Sequence, residues 1–247
     1  MNKQSLAALW LLCVPGLSAA EHAYTLQEVV YAKDLGLKGY LAYPKGEGPF
    51  PVVVYHHGGL GNRMGGDPRG TSIALAKAGY VGFSPLRRKT EPMKDAIEDA
   101  GRAMVYLRSL PRVDPDRLGL LGFSRGGYIG FYSAVDHVQP QAMVIMACAP
   151  GRRNQEAFLG KVKDTRAPVL LLVAENDHKR SDLVGWTRKI GKVLDAAGRE
   201  PKLIVYPPYQ DDGHRMFFEL GAYWKEVIAF LDEQIGTGPR PDGGDPK

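Results

Sequence analysis

Three side chains in this 247-residue sequence have the types needed to break an acyl bond: Ser124, Asp177 and His214. Ser124 sits in Gly122-Phe123-Ser124-Arg125-Gly126, a serine with glycine two residues away on either side. That spacing has a physical cause. A serine lifted on a sharp strand-to-helix turn is held in a strained backbone conformation, and side chains at the flanking positions would clash, so glycine sits there. The turn projects the hydroxyl, and the helix N-terminus behind it offers free N–H groups suited to an oxyanion. A serine hydroxyl is a poor nucleophile until a base takes its proton, and the base in turn needs an orienting carboxylate.

Asp177 meets the carboxylate requirement because it closes the acidic loop Glu175-Asn176-Asp177 directly after the apolar run 169–173. Glu175 and Asp182 are the alternatives for this role. His214 ends the loop Gln210-Asp211-Asp212-Gly213-His214, after the next apolar run. His178 comes before that run, His22 near the N-terminus and His137 beyond the serine's helix, so the base role falls to His214. Asp211 and Asp212 read as solvated turn residues.

The elements that must hold these groups follow from hydrophobic periodicity. Strands are expected at 24–32 and 36–43, joined by a short turn and therefore antiparallel. Residues 52–55 form a continuous β-branched run typical of a strand buried on both faces. Further strands are expected at 81–84, immediately before Ser124, at 142–147, 168–173 and 203–206. Helices are expected from a Thr71 or Ser72 cap to Ala78, over 95–110 with Ile97, Ala100, Met104, Leu107 and Leu110 on one face, over 128–135, 183–197 and 217–235. Residues 150–166 look polar and irregular, a candidate lid. Strands alternating with helices predict one α/β domain over 21–235, with a mostly parallel, doubly wound sheet of about eight strands and helices on both faces. The Gly-, Pro- and Asp-rich stretch 236–247 reads as a disordered tail.

Composition narrows the class. The chain is 44% hydrophobic with a formal charge of +5, enough apolar content for a sizeable core. Its cations are scattered apart from Arg87-Arg88-Lys89 and Arg152-Arg153, so no nucleic-acid partner is expected. The Arg87-Arg88-Lys89 cluster reads as a solvated face and Tyr128 as core packing.

Lys3, the apolar run 6–17 and Ser18-Ala19-Ala20 form a signal-peptide pattern over 1–20, predicting a periplasmic or secreted protein with no stable membrane anchor after cleavage. Trp10-Leu11-Leu12 before Cys13 lacks the small residues of a lipobox. Loss of Cys13 would leave Cys148, a buried strand residue, without a disulfide partner. His56 and His57 are adjacent at a strand end and point to opposite faces, so they shape a loop rather than pair on a metal.

Taken jointly, His57-Gly58-Gly59, Gly122 to Gly126, the Asp177 loop and Gly213-His214 resemble an α/β-hydrolase of the dienelactone-hydrolase-like or prolyl-oligopeptidase-like branch, over residues 24–235. The order serine, aspartate, histidine is the one that fold uses. The resemblance implies a serine hydrolase acting without a cofactor on a small-molecule ester or related acyl substrate. Ser124 would be the nucleophile, His214 the base and Asp177 its orienting acid. The backbone N–H of Arg125 would be the first oxyanion donor, and Gly59, or Leu60 if the register differs by one, the second. The chain differs from dienelactone hydrolases proper in carrying serine where they carry a cysteine nucleophile. The alternatives are an acyltransferase or peptidase using the same groups, and a catalytically silent binding protein on the same fold.

Overall fold

The apolar runs pair into one eight-stranded sheet. The computed structural model describes residues 23–59, 64–88, 93–151, 154–179 and 181–239, and the expected signal segment 1–20 lies outside them. The strands are β1 (Tyr24–Ala32), β2 (Leu37–Pro44), β3 (Phe50–His56), β4 (Val81–Pro85), β5 (Val113–Phe123), β6 (Ala142–Met146), β7 (Val169–Ala174) and β8 (Lys202–Tyr206), laid side by side as β1-β2-β4-β3-β5-β6-β7-β8. β1 pairs with β2 and β2 with β4 antiparallel, and every pairing from β4 to β8 is parallel. A parallel pair needs a crossover, and helices supply it. They are α1 (Pro68–Lys77), α2 (Met93–Arg108), α3 (Arg125–Ser133), α4 (Gln155–Asp164), α5 (Leu183–Ala196) and α6 (Trp224–Ile235).

Strand alternation sends Val52 and Val54 to one face and Val53 and Tyr55 to the other, so two cores form. The first packs Met104 and Leu107 of α2, Phe131 of α3, Phe158 and Val162 of α4 and Ile190 of α5. The second packs Leu75 of α1 and Val227, Leu231 and Ile235 of α6. Each fully buried side chain of this size contributes roughly 1.5–3 kcal/mol. The doubly wound α/β architecture is therefore the one expected. Among the described residues no helix is long and apolar enough to cross a membrane.

Three expectations are corrected. The stretch 150–166 is not irregular, because α4 occupies much of it and buries Phe158 against the Tyr128 and Phe131 rings, with ring centroids 5.2 and 5.7 Å away. The helix signal was hidden by its charged residues, while Phe158 and Val162 are buried and Leu159 packs partly buried against the first core. The last helix begins at Trp224 rather than Phe217, since a 3-10 turn over Gly213–Phe217 first delivers Phe217 to the second core. The first helix is capped by Asp67, whose carboxylate accepts from the Gly70 N–H at 2.8 Å, with Pro68 at its first position. Within the expected tail, Gly238 is tied to the body. Its N–H reaches the Gly79 carbonyl at 3.3 Å, and its carbonyl accepts from Arg117 at 3.0 Å. Residues 240–247 lie outside the described part.

Candidate active site

Ser124 is the hinge between β5 and α3, with φ 54° and ψ −116°. A non-glycine residue held at positive φ costs about 1–3 kcal/mol and persists only where its surroundings impose it. They do so here. The Ser124 N–H donates to Met146 O at 2.8 Å, and the Ser124 carbonyl accepts from Gly127 and Ala149, both at 3.0 Å. The glycine spacing is a matter of clearance. A Cβ on Gly126 would lie 1.8 Å from the His56 carbonyl, and one on Gly122 would lie 2.7 Å from the Gly126 carbonyl.

Asp177 and His214 arrive from the two strands that continue the sheet. Asp177 follows β7 and is 2% exposed, with its N–H bonded to Ala174 O at 3.0 Å. His214 follows β8 on the 3-10 turn, whose first N–H groups are capped when Asp212 accepts from His214 N at 3.1 Å. His214 Nδ1 lies 2.9 Å from Asp177 Oδ2 and Nε2 lies 2.9 Å from Ser124 Oγ. A carboxylate accepts, so Nδ1 carries the proton and the Nε2 lone pair faces the hydroxyl. The rivals are elsewhere. Glu175 and His178 are exposed, and Asp182 caps α5 by accepting from Gly185 N at 2.8 Å. Asp211 pairs with Lys179 at 3.1 Å. His137 packs beneath Gly101 on α2, and His22 lies outside the described residues.

Three residues that sequence reasoning passed over steady this relay. Asn176 joins the two loops, accepting from Tyr209 N at 2.9 Å and donating to Gln210 O at 3.1 Å. Phe123 lies beside the imidazole with ring centroids 4.8 Å apart, and Phe218 closes on it at 6.1 Å. Asn176 left a trace in sequence, as the polar residue inside a loop already marked by Asp177, and Phe123 stands inside the serine motif; Phe218 carried no signal.

The third element is the loop at the end of β3. The Arg125 N–H opens α3 and, like that of Gly59, has no acceptor among the described residues. Gly59 has φ 86°, a conformation natural to glycine. Leu60, the other expected donor, lies outside the described residues. His57 fixes the loop's course, with Nδ1 donating to Gly58 O at 2.7 Å and Nε2 accepting from the Arg87 main chain at 3.3 Å. Burial, with the Arg87 charge, pushes the His57 imidazole down to about 4 and that of buried His56 to about 3. Neither is a cation at neutral pH, and among the described residues no group of acids, histidines and cysteines is placed to hold a metal. Arg87 is not on a solvated face, as expected from sequence, but lies over this loop. Arg88 pairs with Asp99 at 2.8 Å, and Lys89 lies outside the described residues. Cys148 is buried and free, just past the end of β6 rather than within a strand, its thiol pushed up by burial.

The sheet order, with the serine turn after β5 and the acid and base after β7 and β8, is that of the α/β-hydrolase fold. The profile of the Dienelactone hydrolase family matches residues 86–214, just over half of the chain, and the chain belongs to that family. An uncharacterized peptidase of Bacillus subtilis is 30% identical over 126 residues, covering 48% of this chain and 49% of its own. The mitochondrial acyl-coenzyme A thioesterase 2 of Rattus norvegicus is 25% identical over 259 residues, covering 86% of this chain and 56% of its own. The chain thus spans about half the length of these curated relatives. The solved carboxyl esterase 2 of Tuber melanosporum superposes with a TM-score of 0.68 at 17% identity, covering 90% of this chain and 88% of that one. This last likeness is one of fold.

Proposed function

We propose that the protein is a secreted serine hydrolase that cleaves carboxylic esters through an acyl-enzyme intermediate. The observation that carries the reading is the continuous Asp177–His214–Ser124 relay, two contacts of 2.9 Å ending on a hydroxyl held at the strained turn. Ser124 Oγ attacks the acyl carbonyl while His214 Nε2 takes its proton, and Asp177 holds the imidazole in the required tautomer and steadies its charge. The Arg125 and Gly59 N–H groups receive the oxyanion, where losing one such donor typically costs about 3 kcal/mol. The imidazolium then protonates the leaving alcohol. Water, deprotonated by the same imidazole, attacks the acyl-serine, and the imidazolium returns that proton to Ser124 Oγ as the acid leaves. The thioesterase relatives make thioesters the second acyl class to screen. The reading includes export with removal of residues 1–20, which N-terminal sequencing of the protein recovered from its producing cell checks.

The test is labelling of the purified protein by a fluorophosphonate, read by peptide mass spectrometry beside Ser124→Ala. The expected result is one adduct, on Ser124, absent from the variant, together with ester turnover that the variant loses. Absence of any adduct between roughly pH 6 and 9, where a histidine base is neutral over most of the range, would refute the activated nucleophile.

A further inference from the structure

We propose that Arg87 is the positioning residue of the oxyanion loop, a half-buried cation that aims the Gly59 N–H and backs the developing negative charge; the assignment rests on the reading of Ser124 as nucleophile. The side chain leaves the main chain just beyond β4, the parallel neighbour of β3. It spans to the end of β3 and takes hold of three consecutive carbonyls. Nη1 donates to His57 O at 2.8 Å, and Nη2 donates to Gly58 O at 2.5 Å and Gly59 O at 2.8 Å. Successive carbonyls in an extended chain alternate in direction, so three on one side need a turn that the positive φ of Gly59 permits.

Peptide planarity converts this grip into a statement about donors. In a trans peptide the N–H points opposite to the carbonyl of the preceding residue. With the His57 and Gly58 carbonyls turned to the guanidinium, the N–H groups of Gly58 and Gly59 face away from it. The Gly58 N–H is already spent on Gly65 O at 2.8 Å. The Gly59 N–H is left, and Gly58 lies against the nucleophile, since a Cβ on it would stand 3.2 Å from Ser124 Cβ. Among the described residues the loop therefore presents one spare donor beside the reacting hydroxyl, and Arg87 is what fixes its orientation.

The charge has a second consequence. No carboxylate lies within ion-pair distance of Arg87 among the described residues, and the charge it feels most is the like charge of Arg125. Burial and that repulsion pull its pKa down to about 10. A guanidinium bonded to carbonyl oxygens polarises the peptides it holds and strengthens their N–H groups as donors. Among the described residues no carboxylate offsets that charge, and the tetrahedral oxyanion supplies the offset when it forms, which favours the transition state over the bound ester. The donors used on the three carbonyls are not free to bind substrate, so the effect belongs in kcat rather than KM.

The experiment compares wild type, Arg87→Lys and Arg87→Met on p-nitrophenyl acetate and butyrate, with active sites counted by fluorophosphonate so that any misfolded fraction drops out. Phenylboronic acid, which forms a tetrahedral adduct on a serine oxygen, is the second probe. Arg87→Met is expected to lower kcat about 100- to 1000-fold, the range for a lost oxyanion donor, with KM within threefold. Boronate affinity should fall in parallel. Arg87→Lys keeps the charge without the three-carbonyl grip, and its kcat should fall between the two. Variants with kcat within threefold of wild type, or with raised KM at unchanged kcat, would overturn the assignment while leaving the hydrolase reading intact. A wild-type chain that neither turns over esters nor labels at Ser124 would overturn the hydrolase reading and the Arg87 assignment together.

Discussion

The two neutral histidines at the end of β3 make the fold sensitive to mild acid. His56 and His57 are 5% and 3% exposed, and burial lowers their pKa from 6.5 to about 3 and about 4. In the unfolded chain both take up a proton as pH falls through 6.5, whereas in the folded chain neither does until far lower pH. Stability is therefore full above pH 6.5 and is lost below it, at about 1.4 kcal/mol per pH unit for each ring. Between pH 7.5 and 5.0 each ring should cost about 2 kcal/mol and the pair about 4 kcal/mol, a large share of the 5–15 kcal/mol typical of a domain. Urea unfolding at the two pH values measures the drop, and His56→Gln should halve it whatever the variant costs in packing. The reasoning fails if wild type loses less than about 1 kcal/mol, or if His56→Gln keeps the full drop.

Other outcomes follow from the geometry. Gly126→Ala drives a Cβ to 1.8 Å from the His56 carbonyl, so the turn must shift; soluble protein should be severely reduced and the remainder inactive in an ester assay. Asp177→Asn lets the wrong tautomer of His214 form, and kcat should fall about 10³- to 10⁴-fold with unchanged thermal unfolding. Asn176→Ala removes the bonds that join the acid and base loops; at about 1 kcal/mol per bond, steady-state kinetics should show a loss of five- to thirtyfold in kcat. Phe158→Ala opens a cavity beneath α4 and should cost about 3–5 kcal/mol in urea unfolding, with little effect on kcat.

Most strands could be placed from sequence to within one or two residues, because strands buried on both faces are unbroken apolar runs ended by glycine, proline or charge. Ser124, Asp177 and His214 were legible for a related reason: Ser124 directly follows β5, and Asp177 and His214 lie in the loops after β7 and β8, at the end where a parallel sheet gathers its chemistry. What escaped depends on contacts between distant segments. Arg87 looks like one cation in a basic cluster until β3 and β4 are known to be parallel neighbours, which puts its side chain over His57, Gly58 and Gly59. The lysines of α4 hid a helix anchored by Phe158 and Val162. Phe217 has the apolar character of a helix start but belongs to a 3-10 turn, since His214 leaves β8 and reaches Ser124 before α6 begins.

The placement of β8 at the rim of the sheet carries a cost in durability. Ser124 is rooted in β5, flanked by β3 and β6, whereas His214 hangs from a five-residue strand bonded to β7 alone. Strands with one partner and solvent-facing residues open at lower free energy than those in the centre. Heat or denaturant should therefore detach the base while the serine turn still stands, and inactivation should precede the loss of the central sheet. The working life of the proposed catalyst is then set by its rim, and reinforcing β8 should lengthen it more than an improvement to the core.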